Sequence, residues 1–97
     1  MNCLNGSLIR SSEKGKYKMV EFLLTAGVDV NFIGKKGSTA LIIATKAGHT
    51  KIVKMLINAG ADVNAVNKRT KINALLLAAK YGYTEIAKLL IDAGAKE

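Results

Sequence analysis

Few residues of this chain have the types and spacing that chemistry requires. His49 is the only histidine and Cys3 the only cysteine. No Cys or His residues recur at metal-ligand spacing, and no nucleophile–base pair is in evidence. His49 follows Gly48, which makes it a turn residue bonding to local backbone. Asp29 and Asp62 are paired carboxylates only in the sense that one repeats the other 33 positions later, so no shared acid–base role is expected of them. The glycines are spaced as helix stops and form no phosphate loop. No catalytic residue, metal or cofactor is implied, and an enzyme is not expected. What stands out is positive charge: the formal net charge is +8, and Arg10 and Arg69 are the only arginines among 15 basic residues. Such a balance suits an acidic protein, nucleic acid or an anionic membrane surface.

The positions of these charges follow from a repeat. Shifted by 33 residues, Leu8, Gly15, Val20, Leu23, Ala26 and Gly27 fall on Leu41, Gly48, Val53, Leu56, Ala59 and Gly60. A further shift of 34 carries Leu41, Ala44, Gly48, Thr50, Ile52, Leu56 and Gly60 onto Leu75, Ala78, Gly82, Thr84, Ile86, Leu90 and Gly94. A period in this range marks a stacked-repeat protein, in which neighbouring copies share their interfaces. Such a chain offers a surface rather than a pocket for catalysis.

Within each copy the apolar residues have helical spacing. Leu41, Ile42 and Ala44 form one short segment, and Ile52, Val53, Leu56 and Ile57 a second after the break at Gly48-His49. Two short antiparallel helices per copy are predicted. Thr39 and Asn73 are N-caps of first helices, and Thr50 and Thr84 of second helices. Gly15, Gly48 and Gly82 end the first helices, and Gly27, Gly60 and Gly94 the second. The segments 28–37 and 61–71 are rich in Gly, Asn and Asp and read as turns or projecting hairpins.

The segment from Gly37 through Ala47-Gly48-His49, followed by Ile52 through Ala59-Gly60-Ala61-Asp62-Val63-Asn64, closely resembles an ankyrin repeat. The resemblance covers almost the whole chain. It implies a mainly all-α solenoid of stacked helix–turn–helix units with projecting β-hairpins or turns. It also implies a non-catalytic protein–protein interaction module. One domain over 1–97 is expected, with copies at about 4–33, 34–66 and 67–97. Two departures stand out. Ala40 and Ala74 replace the proline common at the start of the first helix, and the chain has no proline at all. The extra residue before Leu75 is expected to enlarge the second hairpin without breaking the stack.

The ends differ. Arg10, Ser11 and Ser12 stand where the later copies have apolar or small residues, so copy one reads as a polar N-terminal cap starting at Met1. Copy three lacks such a change. Either more chain follows Glu97, or this end packs on something such as a second copy, or its last helix is simply solvated. No apolar run reaches a membrane-spanning length, and no secretory signal is seen. An intracellular, cytoplasmic setting is expected.

In proteins similar to ankyrin repeats, partners meet the hairpin tips and the exposed ends of the first helices. The resemblance therefore implies Lys35, Lys36, Ser38, Lys46 and Ala47 in copy two, and Lys68, Arg69, Lys71, Lys80 and Tyr81 in copy three. In copy one it implies Glu13 and Lys14, with Asn2, Cys3 and Asn5. The charges of copies two and three in this set are all basic, whereas Glu21, Asp29, Asp62, Glu85 and Asp92 fall on second helices or the turns after them. An acidic protein partner is expected, with Tyr81 as its anchor. A lysine-rich face that merely keeps the chain soluble fits the same composition. Nucleic acid is the weaker alternative, because stacking aromatics and base-reading arginines are few. Self-association through copy three is a further one.

Overall fold

The computed structural model describes residues 4–96. Six helices follow one another: α1 (Leu4–Lys14), α2 (Tyr17–Thr25), α3 (Ala40–Ala47), α4 (Thr50–Asn58), α5 (Ala74–Tyr81) and α6 (Thr84–Asp92). They pair as α1/α2, α3/α4 and α5/α6. The first helices then pack in the row α1–α3–α5, and the second helices in the row α2–α4–α6. The result is a two-layer stack of three helix pairs.

The helical periodicity explains the layers. Leu8, Val20, Leu23, Leu41, Ile52, Val53, Leu56, Ile86 and Leu90 are buried in one continuous cluster that runs through all three copies. Each such side chain contributes roughly 1.5–3 kcal/mol by leaving water. Thr39 and Asn73 cap as expected: Thr39 Oγ1 accepts from the Ile42 N–H at 3.4 Å, and Asn73 Oδ1 from the Leu76 N–H at 2.8 Å. Thr50 and Thr84 do not cap. Their helices start on these threonines, and the residues before them, His49 and Tyr83, make no side-chain capping bond. Those two rings turn back instead onto the preceding copy. A Cβ on Gly15 would lie 2.7 Å from His49 Cε1, and one on Gly48 would lie 3.0 Å from Tyr83 Cζ. With φ of 74° and 78°, Gly15 and Gly48 are required twice over, by backbone conformation and by close approach.

Of the expected β-hairpins or turns, the structure has turns. Among the described residues the pairing is limited to an isolated antiparallel bridge between Val66 and Asn73. The turn in copy two closes with the Gly34 N–H donating to the Ser38 carbonyl at 3.0 Å. Its counterpart closes from the Asn67 N–H to the Ile72 carbonyl at 2.9 Å and is one residue longer. The extra residue is thus taken up at the tip, as expected, and the helices stack undisturbed.

Asparagines join the copies at the opposite turns. Asn31 Oδ1 accepts from the Asp62 N–H at 2.7 Å, and Asn64 Oδ1 from the Lys96 N–H at 2.9 Å. Within copy one, Asn5 on α1 accepts in the same way from the Asp29 N–H at 2.8 Å. Asp29 and Asp62 each accept from the backbone N–H two residues on, at 3.0 and 2.9 Å, so both carboxylates organise their own turns.

Copy one differs from the polar exterior expected of it. Arg10 is exposed, but Ser11 and Ser12 are buried. The register explains this: Ser12 occupies the position of Thr45, which faces inward in the next copy. Neither Ser12 Oγ nor Thr45 Oγ1 has a hydrogen-bond partner.

Candidate protein-binding surface

The two turns that carry the basic residues are laced together. The Lys68 N–H donates to the Gly37 carbonyl at 2.9 Å. Asn67 Nδ2 donates to the Lys36 carbonyl at 3.2 Å and to Ser38 Oγ at 2.5 Å. Arg69 Nη2 donates to the Lys35 carbonyl at 2.7 Å. Asn67 Oδ1 also accepts from the N–H groups of Arg69 and Thr70, which fixes its own tip. The turns of copies two and three therefore form one edge.

On this edge Lys35, Lys36, Lys68 and Lys71 are exposed. Arg69 is exposed too, but its guanidinium is committed to holding the edge together. Ser38 is corrected as a contact residue: it is buried, and its hydroxyl serves Asn67. Lys46, Lys80 and Tyr81 sit at the far ends of α3 and α5, where a cation complements the helix dipole. Seven helical rises separate Lys46 from Thr39, so the two basic clusters lie roughly 10 Å apart along the helix. Lys80 Nζ is 5.6 Å from the centroid of the Tyr81 ring. Tyr81 in turn lies 5.7 Å from the Tyr83 ring, tilted by 37°. Glu13 and Lys14 are exposed at the end of α1. Asn5 is half-buried in its structural bond, and Asn2 and Cys3 lie outside the described residues.

His49 bonds more distantly than expected. Its Nε2 lies 3.0 Å from the Glu13 carbonyl oxygen, 36 residues back, and must donate, since a carbonyl only accepts. The ring is thus a link between copies. No group of three or more His, Cys, Asp or Glu residues is placed to hold a metal among the described residues. No helix among them is long and apolar enough to cross a membrane.

Sequence reasoning missed a groove between α1 and the first turn. It is a cavity of about 380 Å³ with Ile9, Phe32 and Ile43 on its walls and Arg10, Lys35 and Lys36 around it. One signal was available: Phe32 is a large apolar residue in a polar turn, where the matching position 33 residues later is Ala65.

Stacked helix pairs, helix stops in the left-handed region and turns linked edge to edge define a repeat solenoid, a class built to present surface. The particular family follows from comparison. A family model described as ankyrin repeats, in three copies, matches residues 8–97, and the chain belongs to that family. Ankyrin repeats are generally protein–protein interaction modules and are typically non-catalytic. Among solved structures, the chain is similar to an ankyrin repeat domain from Acinetobacter baumannii AYE, with a TM-score of 0.88 and 41% identity over 92% of this chain. The match spans 47% of that protein, about half its length. No curated protein matches the chain.

Proposed function

We propose that this module binds a protein partner carrying an acidic surface or flexible acidic segment, and does so without chemistry of its own. The observation that carries the reading is the laced edge. Bonds from Asn67, Lys68 and Arg69 to the backbone of Lys35, Lys36 and Gly37 hold the basic residues of two copies on one rigid strip. Lys46, Lys80 and Tyr81 extend the contact area from the helix ends. Clustered charge chiefly speeds association, and that benefit falls as salt rises. An intracellular setting accords with a single thiol, Cys3, which leaves no internal disulfide to form.

The test is kinetic. Once a partner has been identified by affinity capture, its association rate with the Lys46→Glu, Lys80→Glu double variant should fall several-fold while circular dichroism is unchanged. An unchanged rate places the contact elsewhere. RNA and DNA should not be retained at physiological salt; firm binding there would favour a nucleic-acid module instead.

A second reading, self-association through copy three, rests on Leu76 and Ile91, which are 48% and 56% exposed. Light scattering that shows a clean monomer at high concentration removes it.

A further inference from the structure

The groove between α1 and the first turn joins two features that the basic edge alone lacks: an apolar floor and a concave shape. Ile9 and Ile43 come from neighbouring first helices, and Phe32 closes the side from the turn. Gly34 makes the floor possible. A Cβ at Gly34 would lie 2.7 Å from Ile9 Cδ1, so a side chain there would push Ile9 aside. In copy three the equivalent residue is Asn67, whose amide is spent on Lys36 and Ser38. Phe32 is likewise replaced, 33 residues on, by Ala65.

The rim is charged unevenly. Arg10, Lys35 and Lys36 border the groove, and Glu13 stands one helical turn beyond Arg10. Acidic groups are therefore favoured beside the turn and opposed at the Glu13 end. A nucleic-acid strand fits poorly, since Glu13 repels phosphate and Phe32 is the one aromatic on the walls.

We propose that this groove is the anchoring subsite for an extended acidic segment of a partner protein. One large apolar side chain of that segment, such as Leu or Phe, seats on Ile9, Phe32 and Ile43. Acidic residues beside it face Lys35, Lys36 and Arg10, and a neutral or basic residue faces Glu13. The division of labour is physical: the cations capture the segment, and the desolvated anchor holds it. The proposal rests on the reading that the basic edge binds protein.

Selection of a random-peptide display library against the whole chain at physiological salt tests it. The expected winners are acidic peptides that share one large apolar residue. Synthetic copies of them should lose tenfold or more in affinity, by fluorescence anisotropy, when that residue becomes Ser. They should lose as much against Phe32→Ala and Ile43→Glu proteins of unchanged circular dichroism. If Ile43→Glu unfolds, Phe32→Ala, which lies in a turn, decides alone. Acidic winners without a shared apolar residue, or binding indifferent to these variants, overturn the subsite and leave the basic edge standing. Winners that are neutral or basic overturn both.

Discussion

Copies two and three have nearly the same pattern of residues and the same backbone, yet the same position is not the same environment in each. Ile42 is 3% exposed on α3, which α5 packs against; its counterpart Leu76, on the last first helix, is 48% exposed. Gly48 lies under the Tyr83 ring, whereas a Cβ added at Gly82 would meet nothing within 4 Å. Thr45 is fully buried, and its counterpart Ala79 is exposed. In a stack, burial is set by the neighbour as much as by the copy itself. Equivalent residues should therefore differ in energy wherever only one of them is covered.

The largest difference should come from side-chain truncation. Ile42→Ala is expected to cost about 2–5 kcal/mol, the range for a buried aliphatic side chain, read from urea unfolding. Leu76→Ala should cost no more than about 1 kcal/mol, because much of the side chain already meets water. Equal losses would break the comparison and mean that copy three is covered in solution. A dependence of unfolding on protein concentration would then identify a second copy as the cover.

The glycine corners should rank next. Alanine at any of Gly15, Gly48 and Gly82 costs about 1–2 kcal/mol for left-handed backbone alone. Gly82→Ala should show that cost and little else. Gly48→Ala should exceed it by about 1 kcal/mol, since Tyr83 must shift. Gly15→Ala should be the worst of the three. Its Cβ would displace the His49 ring and with it the bond to Glu13. Thermal unfolding of the three variants gives the order directly, and a flat order would show that the rings yield freely.

These contrasts also show what the sequence could reveal. The period, the caps at Thr39 and Asn73, the glycine stops and the extra residue at the second tip were all readable, because each depends on local backbone chemistry. Long-range facts were not. Ser11 and Ser12 read as an exterior from their polarity, yet register buries them. His49 read as a local turn residue, yet its partner is 36 positions away. Ser38 read as a contact residue until Asn67, itself part of the enlarged turn, was seen to hold it. The groove stayed hidden because Ile9, Phe32 and Ile43 come from three separate elements and only the fold brings them together.

A smaller effect of opposite sign is expected at Thr45. Its hydroxyl is buried without a partner, and leaving such a group unsatisfied costs about 1–3 kcal/mol. Thr45→Val keeps the shape and removes the hydroxyl, so the melting temperature should rise. Ala79→Thr at the exposed counterpart should change stability by less than about 0.5 kcal/mol. A loss of stability in Thr45→Val would mean that the hydroxyl finds a partner in solution, such as a bound water.

The subtlest contrast lies in the two turn tips. Gly37 has φ of 83°, and Lys71, before the next first helix, has φ of 62°. Lysine in this region is strained by about 1–2 kcal/mol. Glycine would relieve the strain but adds about 0.5–1 kcal/mol of unfolded-state entropy. Lys71→Gly should therefore stabilise by a few tenths of a kcal/mol to about 1 kcal/mol, measured by urea unfolding. The reverse exchange is not symmetric: a Cβ at Gly37 would lie 3.2 Å from Asn67 Oδ1 and 3.3 Å from the Lys68 nitrogen. Lys71 thus keeps a strained backbone where a glycine would fit, and it contributes one cation to the basic edge. If Lys71→Gly gains stability but slows capture of an acidic partner, the strain is the cost of the charge. If it gains stability and leaves capture unchanged, Lys71 lies outside the contact and the edge ends at Arg69.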